Sequence, residues 1–182
     1  MRAVSDTSPI SNLASIGKLP LLKVQFSEIW IPPAVLTELN AHPNAAALRT
    51  IHEAVHDGWI KRQHAASTPL LAVLSAQLHL GEAEAIALAS DLKADVVLID
   101  EQEARQRAAE AGLSVIGVLG VLLRAKRTGL IPLLKPEITA LKVISSSPRR
   151  WRLRCLRPPA NDIPIPKQSD STPIAIIDRS VV

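Results

Sequence analysis

The sequence predicts an α/β protein, a three-layer α/β/α sandwich around a mainly parallel sheet. Three observations carry that prediction. Short β-branched runs, clearest at Val96-Val97-Leu98-Ile99, alternate with longer segments of helical character. Strands separated by helices pair in parallel, because the crossover helices must cover the faces of the sheet. A chain of 182 residues, 47% of them hydrophobic, can also bury one proper core.

The elements follow in order. Residues 2–5, RAVS, are a short apolar segment, and residues 8–17, SPISNLASIG, read as a helix with Ser8 as N-cap, Pro9 at the first helical position and Gly17 as the stop. SEIWIP (27–32) is a strand ended by Pro32, and PAVLTELN (33–40) a helix begun by Pro33. NAAALRTIHEAVHDG (44–58) is a second helix closing at Gly58, followed by the short WIKR segment (59–62). TPLLAVLSAQL (68–78) and the alanine-rich GEAEAIALASDLKA (81–94) are helical, and DVVLID (95–100) is the clearest buried strand. EQEARQRAAEAG (101–112) is a helix capped by Gly112, LSVIGV (113–118) a strand, and LGVLLRAKRTG (119–129) and PEITALK (136–142) helices.

Charge divides the chain. The net charge is +4, and residues 145–182 account for all of it, with seven Lys and Arg against three Asp. That segment also holds six of the fourteen prolines and none of the seven glycines, so the domain is expected to span residues 1–144. Beyond it the composition favours a disordered basic extension. A phosphate-gripping arm and translation from a shifted reading frame stay open as alternatives. The lone Cys155 cannot form an internal disulfide, which suits a reducing cytoplasmic compartment. The N-terminus lacks the apolar run of a signal peptide, and no stretch approaches the roughly 18 apolar residues of a membrane span. A soluble protein with no membrane partner is expected.

The acids fall in a pattern. Asp6 stands where the first strand ends and Asp100 where the run 96–99 ends, and open parallel sheets gather their chemistry at the carboxyl ends of strands. Glu38, in the helix after the second strand, and Glu82, in the helix before Asp100, can lean over the same rim. Four carboxylates so close repel one another and raise their pKa values unless a cation neutralises them. Oxygen donors without thiolate suit Mg²⁺ or Mn²⁺, and such a set suits the attack of water on a phosphodiester.

The ordered segments VSDTSPISNLASIG, IPPAVLTELN, GEAEAIALASDLKADVVLIDEQEAR and GLSVIGVLGVLLRAKRTGLI resemble the PIN (PilT N-terminus) domain, particularly its small prokaryotic VapC-like subfamily, over about residues 3–142. The resemblance implies a Mg²⁺- or Mn²⁺-dependent ribonuclease, often the toxin half of a type II toxin–antitoxin pair. It also implies RNA as substrate, a homodimer, and an antitoxin protein that covers the acidic rim. Carried over, the family's four acids correspond to Asp6, Glu38, Glu82 and Asp100. Thr7 and Ser8 stand at its hydroxyl position, with Ser8 placed to contact the nucleic acid. The segment after residue 144 has no counterpart.

Glu82 and Glu84 compete for the third place. Two residues apart on a helix they point about 200° apart, so one at most faces the rim. Glu82 shares its side with Ala85, Ile86 and Ala89, an otherwise apolar stripe, which favours it. Glu101 is placed to hold a water at the site. Each acid has a plainer role as well: Asp100 with Glu103 makes an N-cap pair, Asp6 a cap or Asx turn, and Glu38 and Glu82 ordinary helix acids.

His52-Glu53-Ala54-Val55-His56 matches the helical zinc-protease motif, with His at i and i+4. The rival reading is a zinc metallopeptidase. Against it, the helix ends immediately at Asp57-Gly58, and the third ligand would have to be Glu82 or Glu84. His42, His64 and His79 read as surface or loop residues. Arg105, Arg107, Arg124, Lys126 and Arg127, on helices flanking the last strand, are candidate phosphate contacts, with solvated helix faces as the plain alternative. Phe26, Trp30, Trp59 and Trp151 are too scattered for base stacking. A degenerate PIN module that binds RNA or protein without cutting is the remaining alternative.

Overall fold

The computed structural model describes residues 1–146; its last helix runs two residues past the expected boundary at 144, and the rest of the basic extension lies outside the described residues. A five-stranded sheet of order β3-β2-β1-β4-β5 carries every pairing in parallel. Its strands are β1 (Arg2–Ser5), β2 (Glu28–Ile31), β3 (Ile60–Arg62), β4 (Val96–Leu98) and β5 (Val115–Ile116). The helices are α1 (Thr7–Ser15), α2 (Pro20–Gln25), α3 (Pro33–Asn40), α4 (Ala45–His56), α5 (Pro69–Ser75), α6 (Leu80–Asp91), α7 (Gln102–Glu110), α8 (Val118–Arg127) and α9 (Lys135–Ser146).

Strand alternation sorts the core into two layers. Ala3, Ile29, Ile31, Ile60, Val96 and Leu98 join one buried cluster with α1, α2, α4 and α8. Val4, Val97 and Ile99 join another with α6 and α7. Successive side chains on a strand point to opposite faces, so the sheet is covered on both sides and the α/β/α sandwich follows.

Where local pattern and structure differ, the causes are physical. Helix α1 begins at Thr7 and its N-cap is Asp6, whose Oδ2 accepts the Ser8 N–H at 3.5 Å; Ser8 lies inside the helix rather than capping it. Helix α2 has only six residues, too few to show a period, yet it buries Leu21 and Leu22 behind Pro20. Helix α6 starts at Leu80 and is buried on more than one side: Ala83, Ala87 and Leu88 are covered along with Ala85, Ile86 and Ala89. An apolar stripe therefore does not distinguish Glu82 from Glu84.

The order of strands reverses direction from β1, with β2 and β3 on one side and β4 and β5 on the other. The crevice between β1 and β4 at their carboxyl ends is the switch point where ligands bind in such sheets. Asp6 and Asp100 follow these two strands. At the start of the strands, Glu28 accepts from Lys61 at 2.7 Å, from Trp30 at 3.3 Å and from Arg2 at 3.3 Å. The Lys61 hydrogen bond foremost holds its carboxyl low, at about 2.

Candidate active site

Asp6 enters the rim because the β1–β4 ladder extends one residue past β1. Ser5 pairs with Leu98, and the Asp6 N–H donates to the Leu98 carbonyl at 3.0 Å. The residue is 3% exposed. Burial first of all, and the negative charges of Glu82 and Glu38 after it, push its pKa from 3.8 up to about 7, against the N–H groups of Thr7 and Ser8.

Glu38 reaches the rim from α3. The Thr7 hydroxyl donates to its Oε2, a short hydrogen bond between α1 and α3. Across from it stands Gly81, where an added Cβ would lie 3.0 Å from Glu38 Oε1. A side chain at position 81 would have to displace that carboxylate.

Glu82, 8% exposed, accepts the His79 N–H at 3.2 Å, one arm of a capping box at the start of α6. Burial raises its pKa, and Glu101 and Glu38 add to the rise. Glu84 points elsewhere: its Oε2 accepts the Ala34 N–H at 3.2 Å, at the start of α3. The geometry separates the two acids by their partners.

Asp100 does not cap its own helix. Glu101 holds the N-cap position of α7, while Asp100 Oδ1 accepts the Val118 N–H of α8 at 2.8 Å and Oδ2 accepts from Asn12 of α1 at 3.1 Å. Burial raises its pKa; those donors and Arg105 oppose the rise, and Glu101 supports it. A Cβ on Gly117 would lie 2.8 Å from both Asp100 Oδ1 and the Arg105 guanidinium, so the absence of a side chain there admits both groups.

Glu82 and Glu38 thus act on Asp6, Glu38 also acts on Glu82, Asp100 stands on the neighbouring strand end, and Glu101 acts on both Glu82 and Asp100. Among the described residues no three His, Cys, Asp or Glu side chains close on one point, here or elsewhere. The acids form an open set, each turned toward a neutral donor. The donors are all oxygen and the innermost is nearly dry, a chemistry that fits a hard divalent ion.

Of the candidate phosphate contacts, Arg105 lies at the rim, its guanidinium donating to the Ile99 carbonyl at 3.0 Å. Arg107 pairs with Glu110 at 2.9 Å, and Lys126 donates to the Pro132 carbonyl. Arg127 and Arg124 line a groove with Ile116, Gly120, Leu123 and Thr128, and Arg124 also lies over the Phe26 ring. Ser8 contributes its backbone N–H to Asp6.

Sequence reasoning missed Asn12, Gly81 and Gly117. Asn12 carried a signal: a poor helix former inside α1, beside the buried Ile10, Leu13 and Ala14. His42 is buried rather than a surface residue. Its Nδ1 accepts the Asn44 N–H at 3.1 Å and its Nε2 meets Ser15 Oγ at 3.2 Å, and burial lowers its pKa. His52, Glu53 and His56 are all exposed, and no third metal ligand joins them among the described residues, so the peptidase reading lacks its centre.

A family model described as a PIN domain matches residues 2–146. A PilT N-terminus domain protein from the hyperthermophilic archaeon Sulfolobus solfataricus P2 is similar in structure, with a TM-score of 0.47 and 18% identity, over 69% of this chain and 93% of that one. No curated protein matches. The strand order, the acids at the switch point and the family match over almost all of the described residues agree: this chain belongs to the PIN domain family, whose fold is that of nucleases.

Proposed function

We propose that this chain is a divalent-metal-dependent endoribonuclease of the VapC-like kind, the toxin of a type II toxin–antitoxin pair. The observation that carries the nuclease reading is Asp6, buried at the sheet's switch point with its pKa raised by burial and by Glu82 and Glu38. PIN nucleases generally use divalent metals, and here Asp6, Glu38, Glu82 and Asp100 would hold Mg²⁺ or Mn²⁺. When bound, such an ion supplies Lewis-acid activation of water and screens charge at phosphorus.

The chain's own groups do the positioning. Thr7 orients the Glu38 carboxylate, the His79 N–H orients Glu82, and the Val118 N–H with Asn12 fixes Asp100 between two helices. Arg105, held by the Ile99 carbonyl beside Asp100, presents a cation where a phosphate of the RNA would lie. The toxin role, the antitoxin partner, the homodimer and a cytoplasmic site of action are supported by the ordered sequence resemblance. No helix among the described residues is long and apolar enough to cross a membrane.

Purified protein incubated with RNA in Mn²⁺ is expected to cut it, and EDTA to stop the reaction. Asp6→Asn abolishes cleavage and His52→Ala leaves it intact. RNA binding without turnover under all of these conditions would sink the enzymatic reading in favour of a non-catalytic binding module. A small reading frame for an antitoxin-like protein next to the gene would support the toxin role.

A further inference from the structure

The proposed nuclease leaves the motif at 52–56 unexplained. Helix α4 buries Ala47, Ile51 and Ala54 against the core, which anchors it and turns His52 and His56 outward. The two imidazoles are one turn apart on the solvent face, and the His56 side chain is 92% exposed. That spacing lets two imidazoles meet one ion.

The surroundings of the two rings point the same way. Asn40 Oδ1 lies 2.9 Å from His52 Nε2. An amide oxygen can only accept, so Nε2 carries the proton and Nδ1 keeps the lone pair. Asp57 Oδ1 lies 3.7 Å from His56 Nδ1, beyond hydrogen-bond reach, so it adds negative charge beside the pair and leaves both nitrogens of His56 open to solvent. His52 therefore faces an oxygen acceptor with one nitrogen and retains the other as a donor. This is the outer-shell arrangement that prepares a histidine for metal: the acceptor fixes the tautomer and the orientation of the ring.

We infer that His52 and His56 form a two-histidine clamp for a late first-row transition ion such as Zn²⁺, with water completing the coordination. Imidazole donors select such ions over Mg²⁺. The clamp is separate from the carboxylate rim. Helix α4 ends four residues before β3 begins, which puts His56 near the start of the strands, whereas Asp6 and Asp100 follow strand ends. Asn40, the outer acceptor, is the last residue of α3, so the clamp would fasten α4 to α3.

The test is calorimetric titration of the full chain with Zn²⁺. Asp6→Asn disables the acidic rim, and Cys155→Ser removes the thiol. The expected result is one Zn²⁺ site in this background. It is lost or weakened more than tenfold by His52→Ala and by His56→Ala, weakened about tenfold by Asn40→Ala, and unaltered by His64→Ala. Both imidazoles are exposed, so the alanine variants should keep the circular dichroism spectrum of the parent. A raised thermal midpoint with Zn²⁺ in the parent, absent in His56→Ala, would support the clamp further. The inference is overturned if the background protein binds no Zn²⁺, or if neither His52→Ala nor His56→Ala weakens binding.

Discussion

Asp100 Oδ1 accepts the backbone N–H of Val118 at 2.8 Å, so an acid at the end of β4 caps a helix eighteen residues further along the chain. The bond gives Asp100 two separable duties. Asp100→Asn keeps an oxygen for the Val118 N–H and Asp100→Ala does not. Both are expected to lose about a hundredfold or more in RNA cleavage. Only Asp100→Ala should also lose about 1 kcal/mol of stability, the ordinary cost of removing a side-chain cap. Urea unfolding measured beside the cleavage assay separates the two.

The glycines give predictions of opposite balance. Gly81 lies in the first turn of α6, where alanine is favoured by up to about 1 kcal/mol in helix propensity. Its Cβ, however, would press on Glu38 Oε1. Gly81→Ala should therefore leave thermal stability unchanged or raised while cleavage falls. Gly117→Ala should press on both the Arg105 guanidinium and Asp100 Oδ1, lowering cleavage and costing about 1 kcal/mol of stability as the Val118 cap is disturbed. A loss of stability in Gly81→Ala, with activity kept, would contradict the proposed place of Glu38.

Asp6 makes stability depend on pH. Its folded pKa of about 7 lies above the 3.8 of an unperturbed carboxyl. Between those values the folded state binds more protons than the unfolded one, so stability falls as pH rises from about 4 to about 7 and levels off above. In EDTA the parent should be more stable at pH 5 than at pH 8, by an amount on the order of a few kcal/mol. Asp6→Asn should flatten the slope. Mn²⁺ at pH 8 should restore stability to the parent by binding the charged form. Urea midpoints at the two pH values check all three.

The cations should differ from one another. Arg105 stands at the rim, and Arg107 is paired with Glu110. Arg105→Gln is expected to weaken RNA binding by a catalytically disabled Asp6→Asn protein and to reduce the salt slope by about one. Arg107→Gln should change binding less, since the residue already has an acidic partner. Filter binding at several salt concentrations decides the order.

The sequence by itself determined the alternation of strands and helices, the parallel sheet, and the placing of Asp6 and Asp100 at strand ends. These are local properties: β-branched runs, prolines at the starts of α3 and α5, and glycines with positive φ after α1, α4, α7 and α8. Only the tertiary structure decided what each acid touches. Thr7 and Glu38 are 31 residues apart, and Asn12 and Asp100 are 88 apart. Their meeting depends on how the crossover helices pack across the sheet, which no local pattern encodes. For the same reason burial on both sides of α6 hid the difference between Glu82 and Glu84, which their partners His79 and Ala34 reveal. The exposure of the two histidines on α4 was equally a matter of packing, because the core takes Ile51 and Ala54 and leaves the opposite face to solvent.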